Sequence, residues 1–495
     1  MITIDGLESL PNIIDTFDSK VAEIELINEN DIENIMETLY HMIDSYVNDH
    51  IIKLKSYKFP KEVTEYLIEV LEGNDLFNEN NVTEYIEECV EYYFNFIQTP
   101  RHLSNFNAIL DIDCIEKRID ILRKKPQPDQ RTAEWFLFRG EHITASSAWK
   151  SFESQKTQNQ LIYSKCAPIN IAKKSSVNVN SACHHGHKYE PLSTLIYEFE
   201  NNTIIEEFGC LEDDDTSYLA ASPDGINVKK DNPLYGRLLE IKNPKSRIIS
   251  GIPKVEYWVQ MQFQMHVTKL HICDFLETTF TEYETEEDYL KDGSFSVSID
   301  NKYKGVIICF NDGNGPVYKY SPLNISKIEF DIWYDNEMEE NSAISWIENI
   351  WWKVNVYSCV TVLYNKEWFD AAKPFFQKTW DTITTEKGGG YEHRKATKRV
   401  SKPVTIISQH YDIISKINAL EKAEDKKNDK MFMSIKVLKA IVGDEIVNER
   451  INNKPDNEQQ VNEQQVNELV NKKSNIKITD TVNIIKIRTQ SFDEI

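Results

Sequence analysis

The stretch that decides the fold is "LAASPDGINVKKDNPLYGRLLEIKNPKSR", residues 219–247. It reads as two short apolar strands joined by a polar loop, with Asp224 in a turn that ends the first and Glu240 and Lys242 one residue apart in the second. Alternate side chains of a strand share a face, so Glu240 and Lys242 point one way and Ile241 points into the core. Charge at the edge of an apolar run is costly unless something binds there. Pairing the two strands as a hairpin brings Asp224 toward Glu240. Two carboxylates in one place repel unless a divalent cation neutralises them, and hard oxygen donors select Mg²⁺ or Mn²⁺, with the backbone carbonyl of Ile241 as a further ligand. Such a site activates a bound water against a phosphoryl group, and Lys242 is placed to orient that water, which is the chemistry of phosphodiester hydrolysis. By itself a D…E-x-K pattern is short, and a surface Glu–Lys pair beside an unrelated turn aspartate is the better account of it until the flanking sequence is read.

The flanks read as alternating helices and strands. "RTAEWFLFRGEHITASSAW" predicts a helix, a glycine turn and a second helix start capped by Thr144 or Ser146. "CHHGHKYEPLSTLIYEFE" predicts an amphipathic helix with Tyr189, Leu192, Leu195, Ile196 and Phe199 on one face. "KVEYWVQMQFQMHVT" follows the two strands as another helix, and "HICDFLETTF" and "YKGVIICF" extend the sheet.

These blocks in this order, "WFLFRGEHITAS", "HGHKYEP", "SPDG", "LLEIKNP" and "YWVQMQFQMHVT", resemble the lambda exonuclease and YqaJ-type viral recombinase nucleases, a branch of the PD-(D/E)xK superfamily, closest to versions from large DNA viruses. The resemblance implies an α/β restriction-endonuclease-like core, a central mixed sheet flanked by helices, with a helical N-terminal extension and a low-complexity C-terminal tail. It implies that Asp224 and Glu240 bind metal, that Lys242 is the active-site lysine, and that Glu190 is an additional acid near two Mg²⁺ or Mn²⁺ ions. Gln260 matches the glutamine on the helix after the sheet, with Tyr257 on the same helix face. Arg139, Ser146 and Ser222 match a pocket for a terminal 5′-phosphate, to which arginine offers a planar fork. Asn243, beside Pro244, reads as without consequence.

The activity implied is a metal-dependent exonuclease degrading duplex DNA from 5′-phosphorylated ends in viral recombination, repair or replication. A single-strand annealing protein is the implied partner; the family's ring-shaped trimer implies a homo-oligomer, but the long acidic N-terminal region is foreign to the minimal exonuclease and argues against that ring here. An endonuclease on the same fold and a DNA-binding scaffold with a lapsed site are the alternatives.

The rest of the chain bounds these expectations. Its 495 residues suggest three regions: an acidic helical extension over 1–125, a nuclease domain over 126–383, and a basic linker with a low-complexity tail over 384–495. The net charge of -24 opposes a nucleic-acid partner, but the acidity lies mostly outside the nuclease segment: 26 acidic and 11 basic side chains fall in 1–125, against 17 and 16 in 131–275. The eight cysteines include no C-x-x-C pair, which argues against a disulfide scaffold, a zinc ribbon and an iron–sulfur cluster. Cys183, His184, His185 and His187 crowd together, but adjacent residues point apart and no second ligand pair follows, so zinc is the weaker reading. The absence of a G-x-x-x-x-G-K-[ST] motif argues against a helicase. No apolar run approaches a membrane span and the start lacks a signal-peptide pattern, so an intracellular location is expected, in host cytoplasm or virion for a viral protein.

After residue 320 the tract "IEFDIWYDNEMEENSAISWIENIWWKVNVYSCVTVLYNKEWF" reads as helical, with Trp346, Trp351 and Trp352 either core or base-stacking residues. "EKGGGYEHRKATKRVSKP" reads as a solvated linker whose Arg394, Lys395, Lys398 and Arg399 could touch phosphates, and "NEQQVNEQQVNEL" as low complexity.

Overall fold

The computed structural model describes residues 29–72, 82–104, 106–128, 130, 132–169, 178–179 and 181–396. The "NEQQVNEQQVNEL" repeat, Lys398 and Arg399 lie outside them.

The N-terminal region is helical, as its apolar spacing requires: α1 (Glu29–Asp49), α2 (Phe59–Leu71), α3 (Val82–Tyr92) and α4 (Ile112–Lys124). Pro60 stands in the first turn of α2, where a missing N–H costs nothing. Asp111 caps α4, its side chain accepting from the Cys114 N–H at 3.0 Å. The buried stripes of these helices, among them Leu39, Ile43, Val63 and Leu67, run continuously into a core that holds Trp258, Phe263 and Trp368. Trp368 Nε1 donates to the Ile52 carbonyl at 3.3 Å, and Arg101 donates to the carbonyls of Lys55 at 3.1 Å and Pro253 at 2.6 Å.

Beyond them come α5 (Ala133–Gly140), β1 (Ile143–Thr144), α6 (Ala145–Ala148), α7 (Gln155–Cys166) and α8 (Ala182–Asn201). Strands β2 (Ile205–Glu206), β3 (Leu211–Glu212), β4 (Leu219–Ala221), β5 (Gly225–Asn227) and β6 (Leu238–Lys242) follow. Then come α9 (Val255–Thr268), β7 (Ile272–Glu282), β8 (Lys304–Asn311), β9 (Pro316–Tyr320), α10 (Lys327–Glu340), β10 (Ser345–Leu363) and α11 (Lys366–Lys387). Seven strands form a mixed sheet in the order β2-β5-β6-β7-β10-β8-β9, antiparallel except for the parallel β6–β7 pair. A small sheet, β1-β4-β3, lies apart from it. The architecture is thus the expected α/β one, a central mixed sheet flanked by helices with a helical N-terminal extension. Among the described residues no helix is long and apolar enough to cross a membrane.

Three expectations are corrected. The tryptophan-rich tract is not one helix: between α10 and α11 it forms the 19-residue strand β10, which pairs with β8 along its first half and β7 along its second. Partners on both edges put β10 inside the sheet, where both faces are covered in places, and this blurs the period-two signal. Its β-branched residues, Val354, Val356, Val360, Thr361 and Val362, carry the strand preference instead. Trp351 and Trp352 are buried there and cannot stack on bases, while Trp346 is half-exposed and donates to Asn349 Oδ1 at 3.0 Å. Secondly, "LAA" is not the hairpin partner of "LLEIK": β4 belongs to the small sheet, and the strand that pairs with β6 is β5, so Asp224 precedes the hairpin. Thirdly, Arg394 is no loose basic contact, since it pairs with Glu386 and donates to Asn159 Oδ1 at 2.6 Å.

Helix α8 buries Tyr189, Leu192, Ile196 and Tyr197, with Phe199 on the exposed side of the stripe expected for it.

Candidate active site

The site is built on the β5–β6 hairpin. Gly236, at φ +79°, makes the turn before β6, in a conformation that a side chain would strain. Gly225 lets β2 approach closely, because a Cβ there would collide with Ile205. Alternation along β6 sends Leu239 and Ile241 into an apolar cluster with Tyr197 and Leu276, and Glu240 and Lys242 to the opposite face, toward α9.

A buried polar network fixes this hairpin against β7. Asp274 accepts from Arg237 Nη1 at 3.1 Å, Thr361 Oγ1 at 2.8 Å and Tyr197 Oη at 2.6 Å. Arg237 also donates to the Phe106 carbonyl at 2.6 Å, and Asn227 donates to the Arg237 carbonyl at 3.1 Å. Both charged groups are 3% exposed, so each depends on the other for compensation.

On the opposite face the carboxylates meet. The Ile241 N–H donates to Asp224 Oδ2 at 2.6 Å, which brings the aspartate alongside β6. Glu240 is fully buried; Lys242 donates to its Oε1, and Gln264 Nε2 donates to its Oε2 at 2.7 Å. Lys242 also donates to the Ile241 carbonyl at 3.0 Å. Burial first, then the charges of Glu240 and Glu190, push the Asp224 carboxyl well above the usual carboxylate range, against the pull of Lys242 and the Ile241 N–H. Burial opposes the charge of Lys242, but Glu240 and Asp224 outweigh it and hold the ammonium above its ordinary pKa. Glu190, on α8, therefore lies within electrostatic reach of Asp224. Tyr257 presents its ring to Lys242 at 5.4 Å and to Arg247 at 5.8 Å.

The glutamine that touches Glu240 is Gln264, one turn beyond Gln260 on the same face of α9. It also donates to the Ser222 carbonyl at 3.2 Å, and its own Oε1 is buried without a partner. The three glutamines of α9 alternate with apolar residues, and nothing in that pattern distinguishes one from the next. Asn243 is not idle either. Its amide donates to Ser193 at 2.7 Å and Thr278 at 2.6 Å, tying the end of β6 to β7 and to the helix that carries Glu190.

A second group of polar side chains gathers at the small sheet. Arg139 lies over the Trp135 ring at 4.4 Å and donates to Ser146 Oγ at 3.0 Å, and burial pushes its pKa below the ordinary arginine value. Strands β1 and β4 are parallel with Thr144 opposite Ala220, so Ser146 and Ser222, two residues on in each chain, leave the sheet at the same end. Helix α6 carries Ser146 and packs on α9. The two groups are joined through Ser222, whose carbonyl is bonded to the glutamine that holds Glu240.

Asp224, Glu240, Glu190 and the Ile241 carbonyl are all hard oxygen donors. Burial and the neighbouring carboxylates disfavour the charged form of Asp224, a condition that a divalent cation relieves. The donor chemistry therefore fits Mg²⁺ or Mn²⁺. Among the described residues no three His, Cys, Asp or Glu side chains converge into a ready-made ligand cluster, and this includes Cys183 and the histidines beside it.

Comparison with known proteins bears on the same segment. Residues 134–271 match the model of the YqaJ-like viral recombinase domain. Uncharacterized protein R354 of Acanthamoeba polyphaga mimivirus is 32% identical over 305 residues, which cover 54% of this chain and 54% of that protein, so the chain spans about half the length of the curated relative it matches. Among solved structures, an alkaline exonuclease (LHK-Exo) from Laribacter hongkongensis is 18% identical, with a TM-score of 0.32 over 53% of this chain and 97% of that one. Its complex with dAMP gives a TM-score of 0.31 at the same identity, over 52% and 95%.

Proposed function

We propose, with residues 134–271 as a YqaJ-like viral recombinase domain, that the chain is a metal-dependent deoxyribonuclease that degrades duplex DNA from its 5′ ends. The observation that carries this reading is the burial of two carboxylates, Asp224 and Glu240, beside a lysine that donates to one of them. Burying like charges together is unfavourable, and a divalent cation bound between them removes that penalty.

In this reading residues 126–383 carry the chemistry. Asp224, Glu240 and the Ile241 carbonyl hold one or two Mg²⁺ ions, with Glu190 as a further acid. The ions, when bound, supply a water of lowered pKa and relieve charge on the phosphoryl oxygens. Gln264 fixes the second oxygen of Glu240, so that the carboxylate presents a single orientation. Lys242 aligns the attacking water, with Tyr257 beneath it limiting the swing of its ammonium, and Gln260, one turn before Gln264 on α9, is assigned to the same site. Arg139, Ser146 and Ser222 grip the terminal 5′-phosphate, and the distance from that grip to the carboxylates sets which bond is cut. The product is a duplex with a 3′ overhang, suited to a strand-annealing partner.

The test is digestion of a linear duplex labelled in turn at its 5′ and 3′ ends. With Mg²⁺ the 5′ label is expected to leave early in short products while the 3′ label stays on long ones. Glu240→Ala is expected to stop digestion and to leave duplex binding intact. Internal cuts independent of ends would replace the exonuclease reading with an endonuclease one, and full digestion by Glu240→Ala would remove the metal-site assignment.

A further inference from the structure

Glu277 is a carboxylate that the preceding reading does not use. It lies on β7, is 1% exposed, and stands directly opposite Lys242 in the parallel β6–β7 register. Neighbouring strands are about 4.8 Å apart, and in-register side chains share a face, so Glu277 and Lys242 emerge side by side. One oxygen of Glu277 accepts from Arg247. The other, Oε2, is buried without a hydrogen-bond partner. An unmet buried acceptor costs about 1–3 kcal/mol, more for a charged group, so this one calls for an explanation.

Lys242 supplies it. Its ammonium donates to Glu240 Oε1 and to the Ile241 carbonyl, which are two of the oxygens the proposed function gives to a divalent cation. An ammonium and a cation cannot both use the same lone pairs. A divalent ion on the same two oxygens repels the ammonium and so favours displacement of Lys242, and a lysine moved off Glu240 loses both its compensation and its orientation. Tyr257 lies under Lys242 and Arg247 together, at 5.4 and 5.8 Å, so the ammonium shares a ring with the guanidinium that pairs with Glu277.

We propose that Glu277 is the second seat of Lys242: when a cation engages Glu240 and the Ile241 carbonyl, the ammonium moves across the strand pair to Glu277 Oε2. Glu277 is thus a positioning residue, acting through Lys242, with Arg247 holding its carboxylate in place. The inference rests on the metal-dependent reading of the site.

Its test is a double-mutant cycle read by calorimetric titration of the full chain with Mn²⁺ alone, without DNA. Glu277→Gln is expected to weaken Mn²⁺ binding roughly tenfold to a hundredfold, the worth of one hydrogen bond to a charged group, because Lys242 then competes without an alternative seat. With Lys242→Met in the background, Glu277→Gln is expected to change Mn²⁺ affinity less than twofold. Equal losses in both backgrounds, or none in either, overturn the proposal while leaving the metal site standing. A wild-type chain that takes up no Mn²⁺ overturns the parent reading and this one with it. Should Glu277→Gln fail to fold, Glu277→Asp keeps the charge for Arg247, withdraws the free oxygen by one methylene, and is expected to show the same dependence on Lys242.

Discussion

Replacing Asp274 by alanine tests how the hairpin is held. The carboxylate accepts three hydrogen bonds, from Arg237, Thr361 and Tyr197, and all three donors are at least nine-tenths buried. Its removal leaves the Arg237 guanidinium with the Phe106 carbonyl and no counter-charge. Breaking a buried pair from one side costs about 3–5 kcal/mol. Arg237 immediately precedes β6 and Asp274 is the in-register partner of Leu239, so the cost falls on the strand that carries Glu240. Hydrogen exchange of the Leu238–Lys242 amides reads it locally, which avoids treating unfolding of so long a chain as one transition. Exchange there is expected to quicken by roughly two to three and a half orders of magnitude, since each 1.4 kcal/mol is a factor of ten. The double variant Asp274→Leu with Arg237→Met, which buries no charge, is expected to recover most of that protection. If the single variant quickens exchange less than tenfold, or the double variant shows the sum of two losses, the two groups are not coupled and the network does not fix the hairpin.

Other outcomes follow from the same geometry. Gln264→Leu removes the donor to Glu240 Oε2 and is expected to lower the cleavage rate with little change in duplex affinity; a change in affinity alone would place Gln264 on the DNA instead. Arg139→Ala is expected to reduce mainly the preference for 5′-phosphorylated over 5′-hydroxyl duplexes, and equal loss on both would end the phosphate-pocket assignment. Burial opposes the charge of Asp213, but His266 and Lys269 overcome it and hold its carboxyl down at about 2. A depressed carboxylate contributes stability that is present above its unfolded pKa near 4 and is lost as pH falls toward 2, here about 2 kcal/mol. Acid titration of wild type and Asp213→Asn should therefore show two stabilities converging between pH 4 and 2, and a constant gap would refute the assignment.

What was legible in the sequence was whatever a local pattern could carry. Asp224, Glu240 and Lys242 are read as neighbours because they lie within twenty residues of one another: Glu240 and Lys242 stand on β6 of the hairpin, and Asp224, just ahead of it, accepts from the Ile241 N–H. The helices α1 and α8 follow from apolar spacing alone. Strand β10 was not legible: a strand covered on both faces loses its alternation, and its aromatic residues suited a helix as well. The role of Gln264 was hidden for a different reason. Which of three glutamines faces a carboxylate depends on the rotation of α9 against β6, a tertiary quantity. Asn243 and Glu277 escaped notice because their partners, Ser193, Thr278 and Arg247, are 30 to 50 residues away in the chain.

The apolar stripe that runs from Leu39 and Val63 to Trp258 and Trp368 has a practical consequence. A chain shortened to begin at Pro126 would keep every residue assigned to the chemistry, yet it would bare the tryptophan pair and strand the Trp368 indole that now bonds Ile52. Such a fragment is expected to aggregate when expressed. The acidic region is best thought of as the outer wall of the chain's own hydrophobic interior, and any search for its separate biological task has to use point changes on its solvent face.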